Sequence, residues 1–251
     1  MDELVCAQIS VEFMGLAVLR NVSFEIAPGS IVGLIGPNGS GKTTLLNTIS
    51  GHVKPKTGVV RFGQKLTGKP RDRLAQLGIF RSFQDARLFE SMTGEENVVA
   101  SLQPSLNEGV WTTIFAPSRN EKIALERNIL LRSILDRLGV GEERSRPVVE
   151  LSYGMRKRIL LAQALAARPV VSLLDEPLAG VDPKTRPRMI SAIQQLRTEQ
   201  SIVIWVEHDF EAICSVADRL LVLDRGELVA DGNPQEVIAS PIVRDLYFRP
   251  V

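Results

Sequence analysis

The stretch GPNGSGKTT, residues Gly36–Thr44, decides the fold of this chain. An apolar run, Ile31–Ile35, comes directly before it, and an apolar helical run, Leu45–Ile49, follows it. Strand, glycine-rich loop and helix in that order are the pattern of a phosphate-binding P-loop. Its glycines let backbone N–H groups turn inward around an anion, and the following helix, which should begin near Lys42, adds a partial positive charge there. The sequence therefore predicts a site for a nucleoside triphosphate.

The side chains of the loop have separate predicted tasks. Lys42 is expected to reach the terminal phosphates and to act in catalysis, and the Thr43 hydroxyl is expected to hold Mg²⁺. A glycine-rich hairpin loop is the alternative, but strand and helix flank this segment in the order that a P-loop requires. The residues predicted to bind the nucleotide here are Gly36, Asn38, Gly39, Ser40, Gly41, Lys42, Thr43 and Thr44.

Composition bounds the class of protein. With 251 residues, 44% of them apolar, the chain can bury a full core as one globular unit with a subdomain. The formal net charge of +1 gives no reason to expect a nucleic-acid partner. Cys6 and Cys214, without a short-spaced framework, are interpreted as small apolar residues in a reducing compartment. We expect no signal peptide and no membrane helix, so any membrane role requires docking to another chain.

The pattern of apolar residues divides the chain into three stretches. Strands are predicted up to about residue 65, and mostly helix from about Asp85 to Leu165, including Glu121–Leu138. From Val170 onward strand and helix alternate, which predicts a parallel sheet with crossover helices. A hairpin is expected around Asp224–Gly226, and a helical tail over Pro234–Tyr247.

Two carboxylates end an apolar strand in VVSLLDEP, Val170–Pro177. Ligands bind at the carboxyl ends of parallel strands. Asp175 is therefore predicted to hold Mg²⁺, directly or through water, opposite Thr43, and Glu176 to polarise the attacking water. The alternative, a solvated acidic turn before Pro177, is disfavoured downstream of a P-loop.

Three further segments carry candidate residues. In LSYG, Ser152 and Gly154 open a helical run and form a second candidate anion site, with a simple N-cap serine as the alternative. The amide of Gln84, within RSFQDARLF, can bond Mg²⁺ or its waters. His208 ends the strand IVIWVEHD and can bond a γ-phosphate and orient water, although a lone histidine is usually structural. The other histidine, His52, is expected at the surface.

Taken together, these segments resemble the ATP-binding cassette (ABC) ATPase family over essentially the whole chain. The closest likeness is to cassettes of the branched-chain amino acid uptake type, carried by RSFQDARLF, LSYG, VEHDF, the closing stretch from Asp224 to Phe248, and the insert with Trp111 and Phe115. The resemblance implies an α/β P-loop NTPase core with a RecA-like parallel sheet, an antiparallel β edge and an inserted helical subdomain. Its implied boundaries are residues 1–84 and 166–251 for the core, and 85–165 for the helical subdomain.

The resemblance also implies roles that the residues alone do not give. Two cassettes would dimerise head to tail, so that Ser152 and Gly154 cap the γ-phosphate held by the partner's P-loop. Met155 stands where the family has glutamine, which puts a side-chain contact from that position in doubt. Gln84 would sense the γ-phosphate, and Asp182 would help set the partner's P-loop. Phe13 would stack on adenine, unless it is a core phenylalanine.

The implied function is the ATP-hydrolysing subunit of an importer. Its expected cofactors are ATP and Mg²⁺. Its expected partners are a second ABC ATPase subunit, in a homodimer or a heterodimer, an integral membrane permease, and a solute-binding protein acting through that permease. The chain would lie peripherally at the cytoplasmic face of the membrane. Two alternatives stay open: the ATPase of a lipid or lipopolysaccharide export complex, and an ABC dimer module without a transport role.

Overall fold

A six-stranded, mostly parallel sheet is the larger of two sheets in a computed structural model that describes residues 2–83, 88–102 and 128–247. The strand order is β10-β9-β3-β8-β7-β6, and only β10 runs antiparallel to its neighbour. Strands β3, β7 and β8 are almost wholly buried, as expected for parallel strands covered on both faces. The predicted parallel sheet is confirmed. Its strands are β3 (Ser30–Ile35), β6 (Ile79–Arg81), β7 (Val171–Asp175), β8 (Ile202–Val206), β9 (Arg219–Asp224) and β10 (Glu227–Gly232).

A second, antiparallel sheet forms from the N-terminal part of the chain, in the order β2-β1-β4-β5. Its alternating pattern of buried and exposed residues is that of a sheet with one face on the core. The turn between β1 and β2 is made by Met14 and Gly15, which have φ values of 49° and 83°. The strands are β1 (Leu4–Phe13), β2 (Leu16–Ile26), β4 (Thr57–Phe62) and β5 (Gln64–Lys65).

The helices of the described residues are short to medium in length. The predicted helix start near Lys42 is confirmed, because α1 begins there. The predicted helical tail over Pro234–Tyr247 is confirmed and consists of two helices. Ser240 separates them, with φ −65° and ψ 143°, because the residue before a proline avoids the helical region. The helices are α1 (Lys42–Ile49), α2 (Arg71–Gln76), α3 (Gly94–Ala100), α4 (residues 128–137), α5 (Tyr153–Ala167), α6 (Arg186–Gln195), α7 (Phe210–Cys214), α8 (Pro234–Ala239) and α9 (Pro241–Tyr247).

Two compact units share the chain. The first comprises Met1–Gln84, Pro169–Pro177 and Gln194–Val251, and the second comprises Asp85–Arg168 and Leu178–Ile193. The second unit thus includes Leu178–Ile193, which the predicted boundaries assigned to the nucleotide-binding core. Trp111 and Phe115 lie outside the described residues.

Local sequence explains how the helices of the second unit begin. Thr93 and Glu96 form a reciprocal capping box at the start of α3. The amide of Asn97, fully buried, bonds the backbone N–H and carbonyl of Phe89 at 2.8 and 3.0 Å. These bonds fix the chain that leads into α3.

Both cysteines fit the prediction of small apolar residues. Cys6 is buried in the core, and burial raises the pKa of its thiol. Cys214 is half-buried, and burial raises its thiol pKa as well.

Candidate functional site

The carboxyl ends of the parallel strands bring the predicted site residues of the first unit to one edge of the sheet. In the register of the sheet, Val206 of β8 lies beside Leu34 of β3 on one side and beside Asp175 of β7 on the other. The P-loop follows β3, Glu176 follows β7, and His208 follows β8. This edge is therefore where a ligand can contact all three segments.

The P-loop needs glycine at two positions for different reasons. A Cβ on Gly36 would lie 2.1 Å from the carbonyl oxygen of Leu223, so no larger residue fits without moving β9. Gly41, the N-cap of α1, has φ 105°, a left-handed conformation that favours glycine. The loop is thus shaped by backbone packing and by backbone conformation at these two glycines.

Lys42 is held inside the loop. Its ammonium group donates to the carbonyl oxygens of Gly36 at 2.7 Å and Pro37 at 2.9 Å, and the residue is 7% exposed. Burial lowers the pKa of Lys42, an effect that the nearby charges of Glu176 and Asp175 oppose. A cation held by two neutral carbonyls can turn to a phosphate at small cost, since it exchanges weak partners for a charged one.

A cavity of about 400 Å³ lies over the loop. It brings together six of the predicted nucleotide-binding residues of the loop and adds the carboxylate of Glu176 and Val18 of β2. The other two, Gly36 and Ser40, are not part of its wall. The lining residues are Val18, Asn38, Gly39, Gly41, Lys42, Thr43, Thr44 and Glu176.

The two predicted magnesium ligands of the described residues touch each other. The Thr43 hydroxyl donates to Oδ2 of Asp175 at 3.2 Å, and Asp175 is almost fully buried. A hydroxyl and a carboxylate are the hard oxygen ligands that Mg²⁺ prefers, so the donor set fits that ion. In the described part of the chain no cluster of three or more His, Cys, Asp or Glu side chains could hold a metal.

Sequence reasoning missed Arg81. Its guanidinium donates to Oδ2 of Asp175 at 2.7 Å inside the sheet edge. The available signal was a lone cation at the end of a short apolar strand, Ile79–Arg81, just before Gln84.

Glu176 and His208 form a pair at the rim of the cavity. Oε1 of Glu176 lies 3.0 Å from Nε2 of His208, and the backbone N–H of Glu176 donates to the carbonyl of Val206 at 3.0 Å. Glu176 has φ 47°, a left-handed conformation that non-glycine residues rarely adopt. Strain of this kind concentrates at functional sites, where the surrounding structure fixes one orientation of a side chain.

The second unit brings the LSYG segment and Asp182 together. Ser152 caps α5 by accepting the N–H of Met155 at 3.3 Å. A Cβ on Gly180 would lie 2.7 Å from the ring of Tyr153, so this ring packs on the segment that carries Asp182. Asp182 accepts from Arg158 at 3.0 Å, and its pKa is lowered chiefly by a hydrogen bond from the Thr185 side chain.

Two predictions about aromatic and histidine side chains are decided by burial. Phe13 is 47% exposed, so the alternative of a core phenylalanine is wrong, and its ring is available to a ligand. His52 is half-buried, bonds the Ser50 hydroxyl at 3.0 Å, and packs edge-on against Phe83, so it is only partly at the predicted surface position. Gln84 lies outside the described residues and stays a prediction.

Residues 19–179 match the ABC transporter family. The chain belongs to that family. It is 34% identical to the high-affinity branched-chain amino acid transport ATP-binding protein LivG of Escherichia coli (strain K12), over 95% of this chain and 94% of LivG. It is 32% identical to the lipopolysaccharide export system ATP-binding protein LptB of Acidithiobacillus ferridurans, over 98% of this chain and 97% of LptB.

Among solved structures, the ADP conformation of an ATP-binding cassette of an ABC transporter matches with a TM-score of 0.79 at 27% identity, over 100% of both chains. The predicted fold class is confirmed: a cassette with a parallel core sheet, an antiparallel sheet and inserted helices. The prediction of an ATP-hydrolysing ABC transporter subunit that resembles the branched-chain amino acid type is confirmed as well. None of the helices in the described residues has both the length and the apolar character needed to cross a bilayer.

Proposed function

We propose that this cassette hydrolyses Mg²⁺–ATP to drive a membrane permease that imports branched-chain amino acids or related small solutes. The observation that carries the proposal is the cavity over the P-loop, which joins Lys42 and Thr43 to Glu176, in a chain similar to LivG over nearly its full length. The cassette would act as a dimer, of two identical or two different subunits, bound peripherally to the permease on the cytoplasmic face. A solute-binding protein would deliver cargo to the permease.

The P-loop would hold the triphosphate. Backbone N–H groups from Asn38 to Thr44 would surround the phosphates, and Lys42 would turn from the carbonyls of Gly36 and Pro37 to the terminal phosphates. Thr43, Asp175 and Gln84 would hold Mg²⁺, which when bound neutralises phosphate charge. Phe13 would stack on adenine, since its ring is exposed in the same unit as the loop.

Glu176 would act as the general base. Its carboxylate lines the cavity and lies 3.0 Å from the imidazole of His208. The imidazole would hold the carboxylate in place and bond the γ-phosphate, while Glu176 accepts a proton from the attacking water.

The second unit would complete the site of a partner cassette. Ser152 and Gly154 lie at the N-terminus of α5, a 15-residue helix whose positive end attracts anions. Because one triphosphate does not need two such sites on one chain, we assign this one to the γ-phosphate bound by the partner. Asp182, oriented by Arg158, would help to set the partner's P-loop.

Lipopolysaccharide export is the second candidate, because LptB covers this chain as completely as LivG does. The cargo would not contact the cassette, so the identity of the permease distinguishes the two candidate functions. Co-purification from a native membrane, with the permease identified by mass spectrometry and assayed for solute uptake in vesicles, would decide between them. Uptake of small apolar amino acids supports import, and export of a lipid from the same complex contradicts it.

Replacing Glu176 by glutamine tests the catalytic assignment. Glutamine keeps the shape of the side chain but accepts no proton, so Glu176→Gln should bind ATP, lose at least ~10²-fold in turnover, and accumulate as an ATP-bridged dimer. An ATPase assay measures the loss of turnover, and gel filtration with ATP and Mg²⁺ measures the formation of the dimer. Glu211→Gln, an exposed carboxylate on α7, is the matched control and should behave like the wild type. Normal turnover in Glu176→Gln would remove that residue from catalysis.

A further inference from the structure

Arg81 and Asp175 form a deeply buried ion pair. The side chain of Arg81 is 4% exposed, that of Asp175 is 1% exposed, and Nη2 lies 2.7 Å from Oδ2. Arginine is seldom buried to this degree unless it is paired, and removing one member of such a pair leaves an uncompensated charge.

The contacts around Asp175 fall on one side of its carboxylate. Within the described residues, the side-chain bonds that Asp175 accepts from Arg81 and from Thr43 both end on Oδ2. The neighbouring Ser82 hydroxyl accepts the backbone N–H of Asp175 at 3.0 Å. Strand β6 and the residue directly after it therefore contact Asp175 at the side chain and at the backbone.

The guanidinium is itself held in one orientation. Its Nη1 donates to the backbone carbonyl of Ser82 at 2.6 Å, and its centre lies 5.3 Å from the ring of Phe83. A planar donor group that is held at a second point keeps the carboxylate oxygen that it bonds in one position, whereas the ammonium of a lysine acts as a point charge.

We propose that Arg81 is a positioning residue of the metal–nucleotide site: it binds Oδ2 of Asp175 and so presents Oδ1 to the divalent cation. The inference rests on the proposed role of Asp175 as a metal ligand. It goes further by assigning a task to a residue of β6, the strand that leads directly into Gln84. Groups that orient a metal ligand change metal affinity without touching the metal, typically by about 10- to 100-fold when replaced.

The test measures binding of the cation rather than turnover. Mn²⁺, a paramagnetic probe for the Mg²⁺ site, is titrated into the complex of the protein with a non-hydrolysable ATP analogue and followed by electron paramagnetic resonance. Arg81→Gln should weaken Mn²⁺ binding by about tenfold. Arg81→Lys should weaken it by less, because lysine keeps the charge but lacks the planar pair of donor nitrogens. Binding of the analogue without a cation should be unchanged. Arg73→Gln, an exposed arginine bonded to Gln76, is the matched control with wild-type Mn²⁺ affinity.

Each outcome decides one assignment. Unchanged Mn²⁺ affinity in Arg81→Gln, even with a lowered melting temperature, would make Arg81 purely structural and overturn the proposal. Tighter Mn²⁺ binding would also overturn it, because Arg81 would then compete with the cation. If Arg81→Gln does not fold, wild-type affinity in Arg81→Lys is the contradicting result. Asp175→Asn distinguishes the metal role of Asp175 from the positioning role of Arg81. Unchanged Mn²⁺ affinity in Asp175→Asn would contradict the metal role of Asp175 itself. A loss in Asp175→Asn with none in Arg81→Gln would contradict only the positioning role of Arg81.

Discussion

At the scale of single residues, Glu176 shows how the fold imposes a conformation that its sequence does not favour. The left-handed backbone of a non-glycine residue costs roughly 1–2 kcal/mol. Here the cost is met by the bond from its N–H to Val206 and by the contact of its carboxylate with His208. The strand before it ends at Asp175, so the turn lets two adjacent carboxylates point to different partners, one to Arg81 and Thr43 and the other to the cavity.

Gly36 gives a test of the P-loop at the same scale. In Gly36→Ala the new methyl would meet the carbonyl oxygen of Leu223 at 2.1 Å and the Ser40 hydroxyl at 2.6 Å, so the loop or β9 must move. We expect ATP affinity to fall by at least ~10-fold, because a shift of the loop misplaces its N–H donors. Nucleotide titration by calorimetry measures it.

The control for Gly36→Ala separates the clash from the general cost of alanine. Gly68→Ala introduces a methyl at φ 85° with nothing within 4 Å, so it should lower stability slightly and leave ATP affinity unchanged. Equal ATP affinity in Gly36→Ala and Gly68→Ala would contradict the assigned role of Gly36.

At the scale of elements, apolar runs predicted strands well and missed what depends on distant contacts. The predicted strand Ile202–Val206 agrees with β8, because a continuous run of β-branched and aromatic residues bounded by polar ones favours a buried strand. The break at Ser240 could have been predicted from Pro241. The pairing of Arg81 with Asp175 could not, because the two residues are 94 positions apart and only the sheet register brings them together. Likewise, the P-loop is a local pattern, while the Glu176–His208 contact depends on β7 lying beside β8.

The packing of Tyr153 on Gly180 gives a prediction about two elements of the second unit. In Gly180→Ala the methyl would lie 2.7 Å from the ring, and the residue has φ 71°, so both clash and backbone strain lower stability. We expect a loss of about 1–3 kcal/mol in the free energy of unfolding, as for other overpacked sites. Adding Tyr153→Gly removes the ring and should restore the part of the unfolding free energy that is lost to the clash. Denaturant unfolding of wild type, both single variants and the double variant measures the coupling, and additive effects would contradict direct packing.

At the scale of the whole molecule, the sequence has one P-loop and one LSYG segment, while the proposed catalytic site needs one of each from different chains. The match with LivG covers 94% of that relative's length, so LivG too is a single cassette in size. The second half of each site would therefore come from another subunit. The net charge of +1 adds no strong field that would drive two copies apart or together. Bound ATP, shared between the chains, would then supply the attraction.

Mixing two disabled variants tests this arrangement. In Ser152→Arg the helix cap of α5 is lost and a long cation occupies the place proposed for the partner's γ-phosphate, while the P-loop stays intact. In Lys42→Ala the P-loop fails and the LSYG segment stays intact. Placed on a Glu176→Gln background, each variant alone should stay monomeric with ATP. If two copies of this chain pair head to tail, an equal mixture should form a dimer with one complete site, joining the P-loop of the first variant to the Ser152 of the second.

Gel filtration with ATP and Mg²⁺ measures the oligomeric state of the mixture, with Glu176→Gln alone as the dimer standard. Ser152→Ala on the same background is the matched control: it removes the bond to Met155, worth about 1 kcal/mol, without adding bulk or charge, so a dimer should still form. A dimer of Ser152→Arg by itself would show that this serine does not face the partner's nucleotide. If Glu176→Gln dimerises but the mixture does not, the two sites do not combine one P-loop with the opposite LSYG segment, because only that geometry lets two defects complement each other.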